Sequence, residues 1–124
     1  MTDTEHGYMS TIGVSSPEAD QGRATLTMDA TDRHLNAAGT VHGGMLATLV
    51  DATMGAAVRS AVEGDVPATS QLTLTYLHPG KPGQLIVTAE VRKRGDSLVV
   101  CEADVEQGGK SLVHALATFA LLKN

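Results

Sequence analysis

"HLNAAGTVHGGMLATLVDATMGAA", His34 to Ala57, carries one formal charge, Asp51, when its two histidines are counted as neutral. From Gly44 to Arg59 the residues are Ala-rich, free of proline and without apolar–polar alternation. That pattern predicts a helix rather than a strand. A membrane span needs roughly 18 uninterrupted apolar residues, and Asp51 with several threonines breaks this run. The segment therefore reads as the buried helix of a globular domain.

On either side of it the period changes. "RATLTMDA" (Arg23 to Ala30) alternates as a half-buried strand does, and "SQLTLTYL" (Ser70 to Leu77) alternates again before the Pro/Gly loop "HPGKPG". "QLIVTAEVRKR" and "SLVVCEADVEQ" are separated by "GD", which predicts a tight hairpin, and "GGK" turns the chain into "SLVHALATFALL". The expected order is one strand, one long helix, then four strands. Connections this short suit antiparallel pairing, so the expected class is α+β, with one helix covering one face of the sheet.

The chain has 124 residues, enough for one domain with a real core. Residues 1–21 read as an N-terminal extension of less certain structure. With one Phe, two Tyr and no Trp, the core has to be aliphatic, and no aromatic platform for stacking bases exists. A net charge of −5 argues against general affinity for nucleic acid or anionic membrane. The polar, acidic start "MTDTEHGYMS" lacks a basic region and an apolar core, so a cytoplasmic location is expected. Cys101 is the lone cysteine; it sits in an apolar alternation and reads as a buried thiol. His34 and His42 have no third ligand at a recognisable spacing, so neither a metal nor another cofactor is expected.

"TVHGG" falls where the helix begins, and consecutive glycines there leave first-turn amides uncovered by side chains. Such a helix end offers unpaired N–H donors and partial positive charge to an oxygen that is becoming an anion. Asp51, flanked by Leu49, Val50, Ala52 and Met54, would carry a heavy desolvation cost unless it had partners or a use. The two features make sense together if Asp51 is a general base or nucleophile and the Gly43 and Gly44 amides hold an oxyanion. Eight residues at about 1.5 Å each separate them by roughly 12 Å, too far for one reacting group. Two copies packed antiparallel would bring the glycine end of one helix beside the aspartate of the other. A twofold dimer makes two such shared sites automatically.

The pattern His34-x-Asn36-x-x-Gly39-x-x-His42-Gly43-Gly44 followed by Leu49-Val50-Asp51, with "LTLTYLHPG", "VTAEVRKRG" and "HALATFALL", closely resembles the hotdog-fold acyl-CoA thioesterases of the phenylacetate-pathway type. The resemblance runs from about Gly22 to Leu122. It implies a long helix wrapped by an antiparallel sheet, a homodimer with shared sites, often a dimer of dimers, and an acyl-CoA substrate with an aryl or medium-chain acyl group. By position it implies that Asp51 activates water or attacks the thioester carbon. The Gly43 amide, helped by Asn36, would polarise the carbonyl; His42 would shape the turn or touch the sulfur; Thr69 would position the water. Gly44 and His34 would line the substrate.

Arg92, Lys93 and Arg94 hold three of the nine basic residues. Arg92 and Arg94, with Gly95 behind them, are candidate contacts for the phosphates of coenzyme A, the bland alternative being a solvated strand end. Alternation would send Arg92 and Arg94 to one face and Lys93 to the other. "GDSL" (Gly95 to Leu98) matches a serine-esterase nucleophile motif, but it joins two strands and no Asp-x-x-His follows. Hotdog hydratases and non-catalytic acyl-CoA sensors are the remaining rivals. An intact Asp51 with the glycine turn fits hydrolysis better than either.

Overall fold

A computed structural model of the chain describes residues 7–123. Its elements are a one-turn helix α1 (Tyr8–Thr11), β1 (Glu18–Asp20), β2 (Arg23–Ala30), a 3-10 turn (Asp32–His34), the long helix α2 (Gly43–Ala61), β3 (Val66–Tyr76), β4 (Gly83–Arg94), β5 (Leu98–Gln107) and β6 (Lys110–Leu122). The six strands form one antiparallel sheet in the order β1-β2-β4-β5-β6-β3. The α+β arrangement expected of a hotdog fold is the one observed.

Helix α2 is held by its inward face. Leu46, Leu49, Val50, Met54, Ala57 and Val58 recur at three- and four-residue spacing and are buried. They meet the inward residues of the sheet, among them Leu85, Val87, Val99, Val105 and Val113, each fully buried. Burying each such side chain contributes roughly 1.5–3 kcal/mol, so this seam is the main support of the fold. The opposite helix face, Ala47, Thr48, Asp51, Ala52, Gly55 and Ala56, is only half-buried.

Three boundaries differ from the sequence reading. β3 begins at Val66 rather than Ser70; Pro67 is tolerated there because β3 is an edge strand. The predicted two-residue "GD" hairpin includes Ser97 as well, with the Gly95 amide donating to Leu98 O at 2.9 Å and β5 starting at Leu98. The N-terminal stretch, for which no element was expected, supplies α1 and β1. A further correction concerns the basic cluster. A bulge between Val91 and Lys93 breaks the alternation, leaving Arg92 against Glu90 and Glu102 while Arg94 stands opposite buried Val99. Arg92 and Arg94 therefore do not share a face.

The outer face of the sheet carries a ladder of charges. Arg23 pairs with Glu90 at 2.6 Å, Arg92 with Glu90 at 2.9 Å and Glu102 at 3.2 Å, and the His114 ring meets Asp104 at 2.9 Å and Glu102 at 3.2 Å. The hydrogen bond that His114 makes to Asp104, with the negative charge of Asp104 and Glu102, raises the His114 pKa above its ordinary 6.5 despite opposing desolvation. The folded state holds this proton more tightly than the unfolded chain. The contribution is complete below 6.5 and fades as pH rises through the elevated midpoint. Ring-proton NMR should place the midpoint above 6.5 in the wild type and lower it in Asp104→Asn. On the inner face, burial pushes the Cys101 thiol up to about 11. Native protein should therefore react with a disulfide chromogen orders of magnitude more slowly than protein unfolded in guanidinium.

Candidate active site

The start of α2 is shaped by one histidine. His42 is the N-cap: its Nδ1 accepts the Gly44 amide at 2.9 Å, and its carbonyl accepts from Met45 and Leu46 at 2.9 and 3.1 Å. With Nδ1 accepting, a neutral His42 carries its proton on Nε2. Gly44 suits this cap, because a Cβ there would crowd His42 Nδ1 at 3.2 Å. The sequence left both glycine amides open; the structure caps one of them. The Gly43 amide is left without an acceptor among the described residues. Tyr76, which sequence reasoning did not single out, donates its hydroxyl to Gly43 O at 2.8 Å and fixes the glycine turn from β3.

Two turns further on, Asp51 lies on the half-buried helix face rather than in the core. Its apolar neighbours in sequence, Leu49 and Val50, point the other way, as a 3.6-residue period requires. The Thr69 hydroxyl donates to Asp51 Oδ1 at 2.7 Å, while the adjacent Ser70 hydroxyl turns to Thr118, 2.7 Å from its Oγ1. The strand register shifts between Thr69 and Gln71, so a β-bulge sits beside this contact. Asp51 and Thr69 open onto a groove of about 580 Å³ lined also by Met9, Ala52, Gly55, Ala56, Arg59 and Phe119.

Other residues singled out in the sequence are spent on local structure. Asn36 Oδ1 accepts from Ala38 and Thr40 amides at 2.9 and 3.1 Å, and its Nδ2 donates to Thr40 Oγ1 at 2.9 Å, which leaves one amide hydrogen of the side chain. His34 is buried; its Nδ1 accepts from Thr31 N at 3.0 Å and its Nε2 donates to Ile12 O at 2.8 Å. Its ring thus ties the N-terminal segment to the turn, and its carbonyl accepts the His42 amide at 2.9 Å. Arg92 and Arg94 have partners of their own, the latter donating to Gly95 O at 2.6 Å, and neither lines the Asp51 groove. No group of three metal-ligating side chains occurs among the described residues. None of their helices is long and apolar enough to cross a membrane.

A long helix enclosed by an antiparallel sheet is the hotdog arrangement; here a glycine turn starts the helix and a hydroxyl-bonded carboxylate stands on its open face. Residues 38–114 match the thioesterase superfamily, and the chain belongs to that family of thioester hydrolases. It is 34% identical to human acyl-coenzyme A thioesterase 13 over 88 residues, which are 70% of this chain and 63% of that protein. It is 28% identical to the PaaI protein of the Escherichia coli phenylacetic acid degradation operon, with a TM-score of 0.85 over 94% of this chain and 84% of that one. A Streptococcus pneumoniae thioesterase protein crystallised with coenzyme A superposes with a TM-score of 0.81 at 28% identity, covering 86% of this chain and 84% of that one.

The cap makes a measurable statement about the glycine turn. His42→Ala should lower unfolding stability by about 1 kcal/mol, as loss of an N-cap does. Chemical denaturation at constant m-value is the check.

Proposed function

We propose that this chain hydrolyses acyl-CoA thioesters at sites shared by two copies, with Asp51 of one copy and the Gly43 amide of the other acting on the same thioester. The observation that carries this reading is the pair of half-sites on one rigid helix: a free Gly43 N–H at its start and a Thr69-bonded Asp51 roughly 12 Å along it. Neither half completes a site alone. The long edge strand β3 supports the pairing, since its outer backbone edge is open to a second β3 and its Thr69 and Tyr76 bond the two half-sites. The coenzyme A bound to the pneumococcal relative supports the substrate class.

In this reading the Gly43 N–H meets the thioester oxygen, strengthened by the positive end of the helix dipole. Thr69, its hydrogen committed to Asp51 Oδ1, offers a lone pair to a water that Asp51 also holds. That arrangement favours Asp51 as a general base over a direct nucleophile. Water loses its proton to Asp51 and its oxygen adds to the carbonyl carbon. The resulting oxyanion collapses with cleavage of the carbon–sulfur bond, and the thiolate takes the proton back from Asp51, with His42 Nε2–H free to hydrogen-bond the departing sulfur. The products are a free acid and coenzyme A. No cofactor takes part, the acyl group is aryl or medium-chain, two dimers pair into a tetramer, and the site of action is the cytoplasm.

Thiol release from phenylacetyl-, hydroxybenzoyl-, hexanoyl- and palmitoyl-CoA tests the chemistry, and the buried Cys101 leaves the chromogenic readout clean. Asp51→Asn should lower kcat by at least about a thousandfold with fold and assembly unchanged; near-native turnover would remove Asp51 from the mechanism. Tight acyl-CoA binding without release would make the protein a binding module instead. Mixing Asp51→Asn chains with Gly43→Pro chains should recover activity in heterodimers carrying one intact site. Mixed dimers that stay inactive would refute the shared site.

A further inference from the structure

The groove that holds Asp51 has a second end. Thr69 and Asp51 stand at one end and Arg59, in the last turn of α2, at the other. Eight residues of helix set their Cα atoms roughly 12 Å apart. Between them Ala52, Gly55 and Ala56 of α2, Met9 of α1 and Phe119 of β6 give an apolar strip, with Ser16, Pro17 and Pro67 completing the groove.

Arg59 also differs from the other four arginines. Arg23 and Arg92 are paired with carboxylates, and Arg33 and Arg94 donate to the carbonyls of Thr11 and Gly95. The Arg59 guanidinium has no acceptor among the described residues. A planar cation with five donors, placed at the end of the groove beyond the apolar strip, is suited to a carboxylate carried on a hydrocarbon chain.

Resting on the assignment of Asp51 to thioester hydrolysis, we propose that Arg59 determines specificity by binding a terminal carboxylate of the acyl group, so that the favoured substrates are ω-carboxyacyl-CoA thioesters. Lengths agree. At about 1.25 Å of advance per carbon–carbon bond, a six- to eight-carbon diacid chain spans roughly 6–9 Å, and the flexible arginine reaches back over the remainder. The terminal charge then lies on the Arg59 guanidinium, at the end of the groove away from Asp51. The free product would be a dicarboxylic acid.

The test compares kcat/KM for adipyl-CoA, hexanoyl-CoA and 6-aminohexanoyl-CoA in the wild type, Arg59→Met and Arg59→Glu, with thermal melts confirming that each variant is folded. The wild type should favour adipyl over hexanoyl. Arg59→Met should lower the adipyl-to-hexanoyl ratio about fivefold, the scale of one charge-assisted pair at a partly exposed site. Arg59→Glu should reverse the order of adipyl and 6-aminohexanoyl. Ratios that do not move would overturn the proposal while leaving hydrolysis at Asp51 standing. An equal rise in KM for all three substrates would overturn it as well, by assigning Arg59 to coenzyme A. Absence of turnover with every acyl-CoA would overturn both the proposal and the thioesterase reading beneath it.

Discussion

Helix α2 can sit inside the curve of the sheet because every large side chain it carries toward the strands is aliphatic. Leu46, Leu49, Val50, Met54 and Val58 fill that side, and the only polar residue fully buried there, Thr53, returns its hydroxyl to Leu49 O at 2.7 Å. No charge has to be desolvated for the helix to dock. The remaining helix surface is left to small residues, and that is what makes a carboxylate at position 51 tolerable. A helix apolar all round would be enclosed completely and would offer no site; a conventional amphipathic helix would cover its outer face with long charged side chains and block one. Here the outer face is stripped to Ala, Thr and Gly around a single Asp, so the backbone and the carboxylate are reachable together.

The same economy governs the start of the helix. Four first-turn amides need acceptors, and a serine or aspartate cap is the common solution. His42 supplies the cap through Nδ1 and keeps a donor on Nε2, so one residue closes the turn and still faces outward with a hydrogen to give. It spends the Gly44 amide and spares that of Gly43. The buried His34 stands behind it, holding His42 through its backbone and the N-terminal segment through its ring. The polar groups around the turn thus divide into those that have been used to build it and those that have not, the Gly43 amide and His42 Nε2–H among them.

How far the sequence could be read follows from which features are local. "RATLTMDA" coincides with β2 to the residue, since strict alternation over eight positions is a property of one strand and needs no partner to be seen. The proposed pairing of Gly43 with a partner's Asp51 rests on helical rise, which alone exposes the distance problem. Thr69 beside Asp51 followed from resemblance, while the bulge that turns the neighbouring Ser70 toward Thr118 is revealed only by the pairing of β3 with β6. A second bulge, after Val91, is why alternation misplaced Arg94. Flanking residues also misled. Leu49 and Val50 made Asp51 look buried, although neighbours in sequence on a helix point about 100° apart. Tyr76 and Arg59 gave no local signal, as their roles arise from contacts spanning 33 residues and from a groove assembled by four separate segments.

On the proposed mechanism, that assembly separates chemistry from selectivity in a physical sense. Asp51, Thr69 and the Gly43 turn are tied to each other through rigid helix and strand, and displacing any of them by an ångström would misalign a reacting group. The groove beyond them is built from parts with looser obligations: Met9 on a one-turn helix, Arg59 in the final turn of α2, and Phe119 near the end of β6. An exchange at Arg59 leaves the α2 docking seam untouched, because that residue is exposed and lies outside the buried face. Selectivity can therefore drift along the helix end while the fold and the half-sites stay fixed. A thioester's reacting atoms are the same whatever acid it carries, so the distal end of the groove is where an acyl group can be told apart.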